Sequence, residues 1–167
     1  MKARTTSTYL YLKLQLNFPE NGIPGTFDPI HEGHFAIIKR ASKLFDEVVV
    51  AVAESVEKNP KHSLDERKQL ATEMCASLDN VEVKTFDNLL VDFVRSEGAQ
   101  CVVKGLRNVQ DFEYESNMAA INSQLSKEFE TIFMICDPEF KEISSTQIRE
   151  LENLGVDTSS LTRKTHC

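Results

Sequence analysis

Gly25-Thr26-Phe27-Asp28-Pro29-Ile30-His31-Glu32-Gly33-His34 is the stretch on which the reading of this chain turns. It joins a Gly turn, a hydroxyl, a helix-breaking Pro and a pair of imidazoles, then enters an amphipathic segment starting near Gly33. Where a turn feeds a helix N-terminus, unpaired backbone N–H groups and the helix dipole converge and make an anion site. Imidazoles at that mouth point to chemistry on a phosphate, and hence to a nucleotide enzyme.

Outward from this turn, strand and helix patterns alternate. Val48-Val49-Val50-Ala51-Val52-Ala53 is a continuous apolar run, as in a strand covered on both faces. Residues 81–86, Cys101-Val102-Val103 and 131–136 read as further short strands. Phe35, Ile38, Ala41, Leu44 and Phe45 form one helical stripe; Leu89, Leu90, Phe93 and Val94 form another. Ser63-Leu64-Asp65-Glu66 is a capping box that predicts a helix to about Leu78. A long helix is expected from Asp111 to Leu125, and a last one from Ser144-Ser145 to Gly155. The alternation predicts an α/β fold, a Rossmann-like doubly wound parallel sheet in a single domain, with ligands outside the strands' carboxyl ends.

The N-terminus is read separately, as an extension over 1–22 ahead of an α/β domain over 23–167. Its basic start and Tyr9-Leu10-Tyr11-Leu12 resemble a secretory signal only superficially, because Lys13 and Gln15 interrupt the apolar run. Leu10, Leu12, Leu14, Leu16 and Phe18 alternate at period two and predict a half-buried strand. Glu20-Asn21-Gly22-Ile23, which leads into the turn, is weakly strand-forming. Either it still supplies the central strand, or the 10–18 segment replaces it.

Composition narrows the function. The chain has 167 residues, 41% hydrophobic and 27% charged, with a net charge of −7. An acidic chain lacks the basic excess that neutralises nucleic-acid phosphates, so no nucleic-acid partner is expected. No apolar run reaches the roughly 18 residues of a membrane span. Cys75, Cys101, Cys136 and Cys167 form no C-x-x-C pair and read as reduced thiols of a cytoplasmic protein.

Four clusters carry the chemistry. His31-x-Gly33-His34 offers imidazole donors beside a close backbone approach; a zinc reading is disfavoured because His62 and His166 stand apart. Lys104-Gly105-Leu106-Arg107 follows the 101–103 strand and places cations at a strand end. Ile143-Ser144-Ser145-Thr146 supplies hydroxyls at a helix start, either as N-caps or as phosphate donors. Lys58 lies in the loop after the 48–53 strand. Each cluster alone has a bland structural explanation; their joint order does not.

In that order the sequence resembles bacterial-type phosphopantetheine adenylyltransferases of the H/T-x-G-H nucleotidyltransferase superfamily. The likeness runs from about Ile23 to Leu161, through Pro24–Ile30, Gly33-His34, Leu89–Phe93, Gly105-Leu106-Arg107, Asp111–Glu115 and Ile143–Ser145. It implies transfer of the adenylyl group of ATP to 4′-phosphopantetheine, giving dephospho-coenzyme A and pyrophosphate. By the same resemblance His34 stabilises the transition state and Lys58 neutralises charge between nucleophile and α-phosphate. Thr26, Lys58, Leu90 and Lys104 are implied to bind the acceptor. Thr26, Phe27, His34, Gly105, Leu106, Arg107, Glu115 and the run Phe140, Lys141, Glu142, Ile143, Ser144, Ser145, Thr146 are implied to bind ATP. Magnesium is implied to accompany the triphosphate without a dedicated carboxylate cage, and a hexamer is the implied assembly.

The chain departs from the family pattern in places. Lys104 stands where Arg is usual, Thr146 where Ser is, His31 where Thr is commonest and Glu142 where an apolar residue is. The chain also stops at Cys167, before the family's usual last helix, which is expected to weaken the assembly. Two other functions fit the same residues: a related nucleotidyltransferase with another acceptor such as nicotinamide mononucleotide, and a non-catalytic nucleotide- or coenzyme A-binding oligomer.

Overall fold

The computed structural model describes residues 9–11, 22–54 and 60–162. Strand β1 is Tyr9–Tyr11, β2 Gly22–Gly25, β3 Val48–Ala53, β4 Val81–Phe86, β5 Cys101–Leu106 and β6 Glu130–Ile135. Helices α1 (Glu32–Ala41), α2 (Leu64–Cys75), α3 (Leu90–Ser96) and α4 (Val109–Leu125) connect the parallel strands; α5 (Ser145–Asn153) and α6 (Ser159–Thr162) follow β6.

The parallel ladders run β4-β3-β2-β5-β6. Strand order reverses at β2, which pairs with β3 from Gly22↔Val49 to Gly25↔Val52 and with β5 at Gly22↔Val102. A reversal opens a crevice between the loops that leave β2 and β5, and ligands of open α/β sheets bind there. Of the weak segment, Gly22 and Ile23 do serve in the central strand, continued by Pro24 and Gly25. The short β1 pairs antiparallel with β5, at Tyr9↔Lys104 through Tyr11↔Val102. Most of the alternating 10–18 segment lies outside the described residues.

The all-Val/Ala strand β3 is buried almost throughout, as an interior parallel strand must be. Phe35, Ile38 and Ala41 of α1 bury against it, together with Ala71, Met74 and Cys75 of α2. The capping box at the start of α2 is formed: Glu66 N–H donates to Ser63 Oγ (3.2 Å) and Ser63 N–H to Glu66 Oε2 (2.7 Å). Leu44 departs from its expected place on the α1 stripe, because the helix ends at Ala41 and leaves that side chain exposed.

A second difference matters for the site. The Lys104-Gly105-Leu106 segment is not a turn after a short strand but the second half of β5. Its ladder with β6 continues to Leu106↔Ile135. Successive strand residues face opposite ways. Lys104 thus turns towards α4, where it meets Glu115, while Gly105 turns towards Ile37 of α1.

Candidate active site

The conformation of the first turn is demanding. Phe27 takes a left-handed backbone conformation at φ 45°, rare outside glycine, and is only 3% exposed. Its ring meets the His34 ring edge-on, with centroids 5.1 Å apart. His31 caps α1, and its backbone N–H donates to His34 Nδ1 at 3.0 Å. A ring nitrogen that accepts leaves the proton of the neutral imidazole on the other, so His34 carries its donor on Nε2. Burial holds the His34 pKa well below the ordinary histidine value, with His31 and Arg107 adding to it. The group is therefore a neutral, preoriented N–H donor at a helix N-terminus.

His31 stacks on His34 at 3.6 Å between centroids. Burial, and then Arg107, lowers its pKa to about 3. Its Nδ1 is buried without a hydrogen-bond partner. A buried polar atom left unpaired costs free energy that a ligand can return. Gly33 allows a close approach here, since a Cβ would meet His31 Cε1 and Nδ1 at 3.1 Å and Phe140 Cβ at 3.3 Å, so these side chains would have to give by a few tenths of an ångström.

Opposite α1, Arg107 follows the carboxyl end of β5. Its Nε donates to Asp111 Oδ2 (3.0 Å) and its Nη2 to Asp111 Oδ1 (3.2 Å), while the Arg107 backbone N–H also donates to Oδ2 (3.0 Å). This fork holds the guanidinium in one plane beside the imidazoles. His31, His34, Gly105, Arg107, Phe140 and Ile143 line one cleft with about 330 Å³ of free space open to solvent.

Of the predicted nucleotide set, the cleft thus brings together His34, Gly105, Arg107, Phe140 and Ile143. Ser144 and Ser145, however, act on the protein itself. Ser144 Oγ caps α5 by accepting the Gln147 N–H (3.2 Å), and Ser145 Oγ donates to the Pro29 carbonyl (2.9 Å). Thr146 Oγ1 accepts from Arg149 Nη2 (3.2 Å), and Lys141 and Glu142 are exposed. Thr26 is half-buried, and its carbonyl accepts from Arg67 Nη1 (2.7 Å). Leu90 opens α3 beyond β4 and packs on the core. Lys58 lies outside the described residues.

Lys104 and Glu115 do not line the cleft but form a buried ion pair on the other face of the sheet, Nζ to Oε2 2.9 Å. Burial lowers the Lys104 pKa to about 8 against the pull of Glu115. Glu115 Oε1 has no hydrogen-bond partner.

Sequence reasoning missed Arg67, Asp28 and Arg149. Arg67 is 1% exposed and also donates to the Ala53 carbonyl (2.8 Å) and the His62 carbonyl (3.2 Å). A signal existed, since Arg67 lies at helical spacing on the buried stripe of Ala71, Met74 and Cys75. A cation on an apolar face has to be paired. Among the described residues no group of three or more His, Cys, Asp or Glu is placed to hold a metal ion, and no helix is long and apolar enough to cross a membrane.

A doubly wound sheet with a neutral imidazole donor at a helix mouth and a fixed guanidinium opposite defines a nucleotide-handling α/β protein, and residues 23–151 match the cytidylyltransferase-like family. Relatives named phosphopantetheine adenylyltransferase include one from Clostridium perfringens, 44% identical over 84% of this chain and 86% of its own length. One from Rubrobacter xylanophilus is 49% identical over 83% and 84%, and one from Methylobacillus flagellatus 50% identical over 81% and 85%. The chain belongs to the phosphopantetheine adenylyltransferase family.

Proposed function

We propose that the protein transfers the adenylyl group of ATP to 4′-phosphopantetheine, forming dephospho-coenzyme A and releasing pyrophosphate. The observation that carries this reading is the neutral His34 donor fixed by the His31 N–H, in one cleft with Arg107. The attacking group is a phosphate oxygen, already anionic, so the reaction needs no side-chain base. It needs two anions positioned and the charge that builds on the α-phosphate stabilised. His34 N–H supports the α-phosphate, the first turn of α1 adds its dipole, and Arg107 takes phosphate charge.

Thr26, Lys58, Leu90 and Lys104 hold the acceptor in this reading. Lys104 faces away from the cleft and is paired with Glu115, so its contact with the acceptor phosphate requires that pair to open. Phe27, Gly105, Leu106, Phe140 and Ile143 complete the nucleotide side. Magnesium would accompany the triphosphate and supply charge neutralisation there. A cytoplasmic homohexamer is the proposed working form.

Pyrophosphate release from ATP, dependent on 4′-phosphopantetheine, tests the reading. Binding of ATP without release, by folded protein, would instead support the non-catalytic binder.

A further inference from the structure

Asp28 lies inside the demanding turn and is only 4% exposed, yet its carboxylate is crowded with donors. The backbone N–H groups of Lys61 (2.8 Å) and His62 (3.1 Å) donate to it. His62 Nδ1 lies 2.7 Å from Oδ1, and because an ionised carboxylate only accepts, that nitrogen carries the proton. On the other side, Arg149 Nη1 donates to the Asp28 carbonyl and stands 3.6 Å from Oδ2. One residue further, the Pro29 carbonyl accepts from Ser145 Oγ (2.9 Å). Burial pushes the Asp28 pKa up, and the donors from His62, Lys61 and Arg149 more than reverse it, so the group stays charged.

Segments far apart in the chain therefore meet at one carboxylate: the 26–29 turn, the approach to α2 at 61–62, and the first turns of α5. The turn carries Thr26 and Phe27, and the α5 mouth adjoins Phe140 and Ile143 of the cleft. A triphosphate must lie between these walls, so their spacing decides whether the α-phosphate meets His34. Arg67 reinforces the same junction by bridging the Thr26, Ala53 and His62 carbonyls.

We propose that Asp28 is a positioning residue for adenylyl transfer: it locks the 26–29 turn to the 61–62 segment and to α5, with His62 holding its carboxylate in place. This rests on the adenylyl-transfer reading above. Asp28 is not in the cleft, and its effect runs through the groups it ties together. Loss of the lock lets the cleft walls drift while ATP can still bind, so turnover suffers more than affinity. A misplacement on the order of 1 Å lowers the rate roughly 100-fold.

The experiment compares wild type with Asp28→Asn, His62→Leu and His62→Asn. It measures kcat, KM for ATP, ATP affinity, melting temperature and amide exchange at Lys61 and His62. Asp28→Asn is expected to lower kcat by about 30- to 100-fold while ATP affinity moves by less than about fivefold, with exchange at both amides faster by about tenfold or more. His62→Leu is expected to lower kcat by about fivefold, and His62→Asn, which returns an N–H donor near Nδ1, to regain most of it.

Asp28→Asn with kcat within about threefold of wild type would overturn the proposal. So would unchanged exchange at Lys61 and His62. If Asp28→Asn does not fold, the partly exposed His62 pair decides: equal kcat in the Leu and Asn variants would overturn it. Wild-type turnover is the control for the functional reading. Turnover of another acceptor alone would fail the acceptor assignment and leave the Asp28 comparison to be made with that acceptor. Turnover of none would fail the functional reading, and the exchange rates alone would then decide the lock.

Discussion

At the scale of single residues, the site is a matter of protonation. In the proposed reaction His34 is a neutral donor that strengthens as charge develops, so its removal should separate turnover from binding. His34→Ala is expected to lower kcat by about 100-fold or more while ATP affinity stays within about tenfold. Steady-state kinetics beside calorimetric titration of ATP checks the split. The imidazoles also make stability pH-dependent. His31 is neutral in the folded protein down to about pH 3, whereas an unfolded histidine takes up a proton near its ordinary value of 6.5. Above its ordinary value of 6.5 neither state is protonated, so stability is full there and falls as pH drops towards 3. By pH 5 the His31 contribution lost is about 2 kcal/mol, and His34 shifts in the same direction. His31→Thr should flatten this acid-side loss, as urea unfolding at pH 7 and pH 5 would read.

At the scale of elements, Arg67 does what no apolar residue at its position does: it closes the carboxyl ends of β2 and β3 and the approach to α2 with hydrogen bonds to three carbonyls. Arg67→Met keeps the stem and strands those carbonyls in a buried site. It is expected to destabilise the fold by about 2–4 kcal/mol in urea unfolding. Elements were also where sequence reading succeeded and failed for identifiable reasons. The Val/Ala run of β3 and the Ser63-Glu66 box are local signals and form as read, although α2 ends at Cys75 rather than Leu78, and the His31–His34 turn does open a helix. The length of β5 was not legible, because Lys104-Gly105 breaks an apolar pattern that only the β6 ladder continues. The serines of α5 were legible as caps or as phosphate donors, and packing on Pro29 decided Ser145. Asp28 and Arg149 could not be paired from sequence, since they lie far apart in the chain and meet only in the fold.

At the scale of the whole molecule, a chain of net charge −7 binds a polyanion only where the fold concentrates positive potential. The strand-order reversal at β2 does this by setting the mouth of α1 against Arg107. In the proposed reaction magnesium would offset part of the repulsion between this acidic exterior and the triphosphate. Since no described cluster of side chains is placed to hold the ion, chelation with EDTA should abolish pyrophosphate release yet leave the melting temperature of the ligand-free protein within about a degree. The measurement that tests the central claim most directly is pyrophosphate release from ATP and magnesium with 4′-phosphopantetheine, with nicotinamide mononucleotide and with no acceptor. Release with 4′-phosphopantetheine alone is the result predicted. Release with nicotinamide mononucleotide in its place, or with neither acceptor by folded protein that binds ATP, would contradict it.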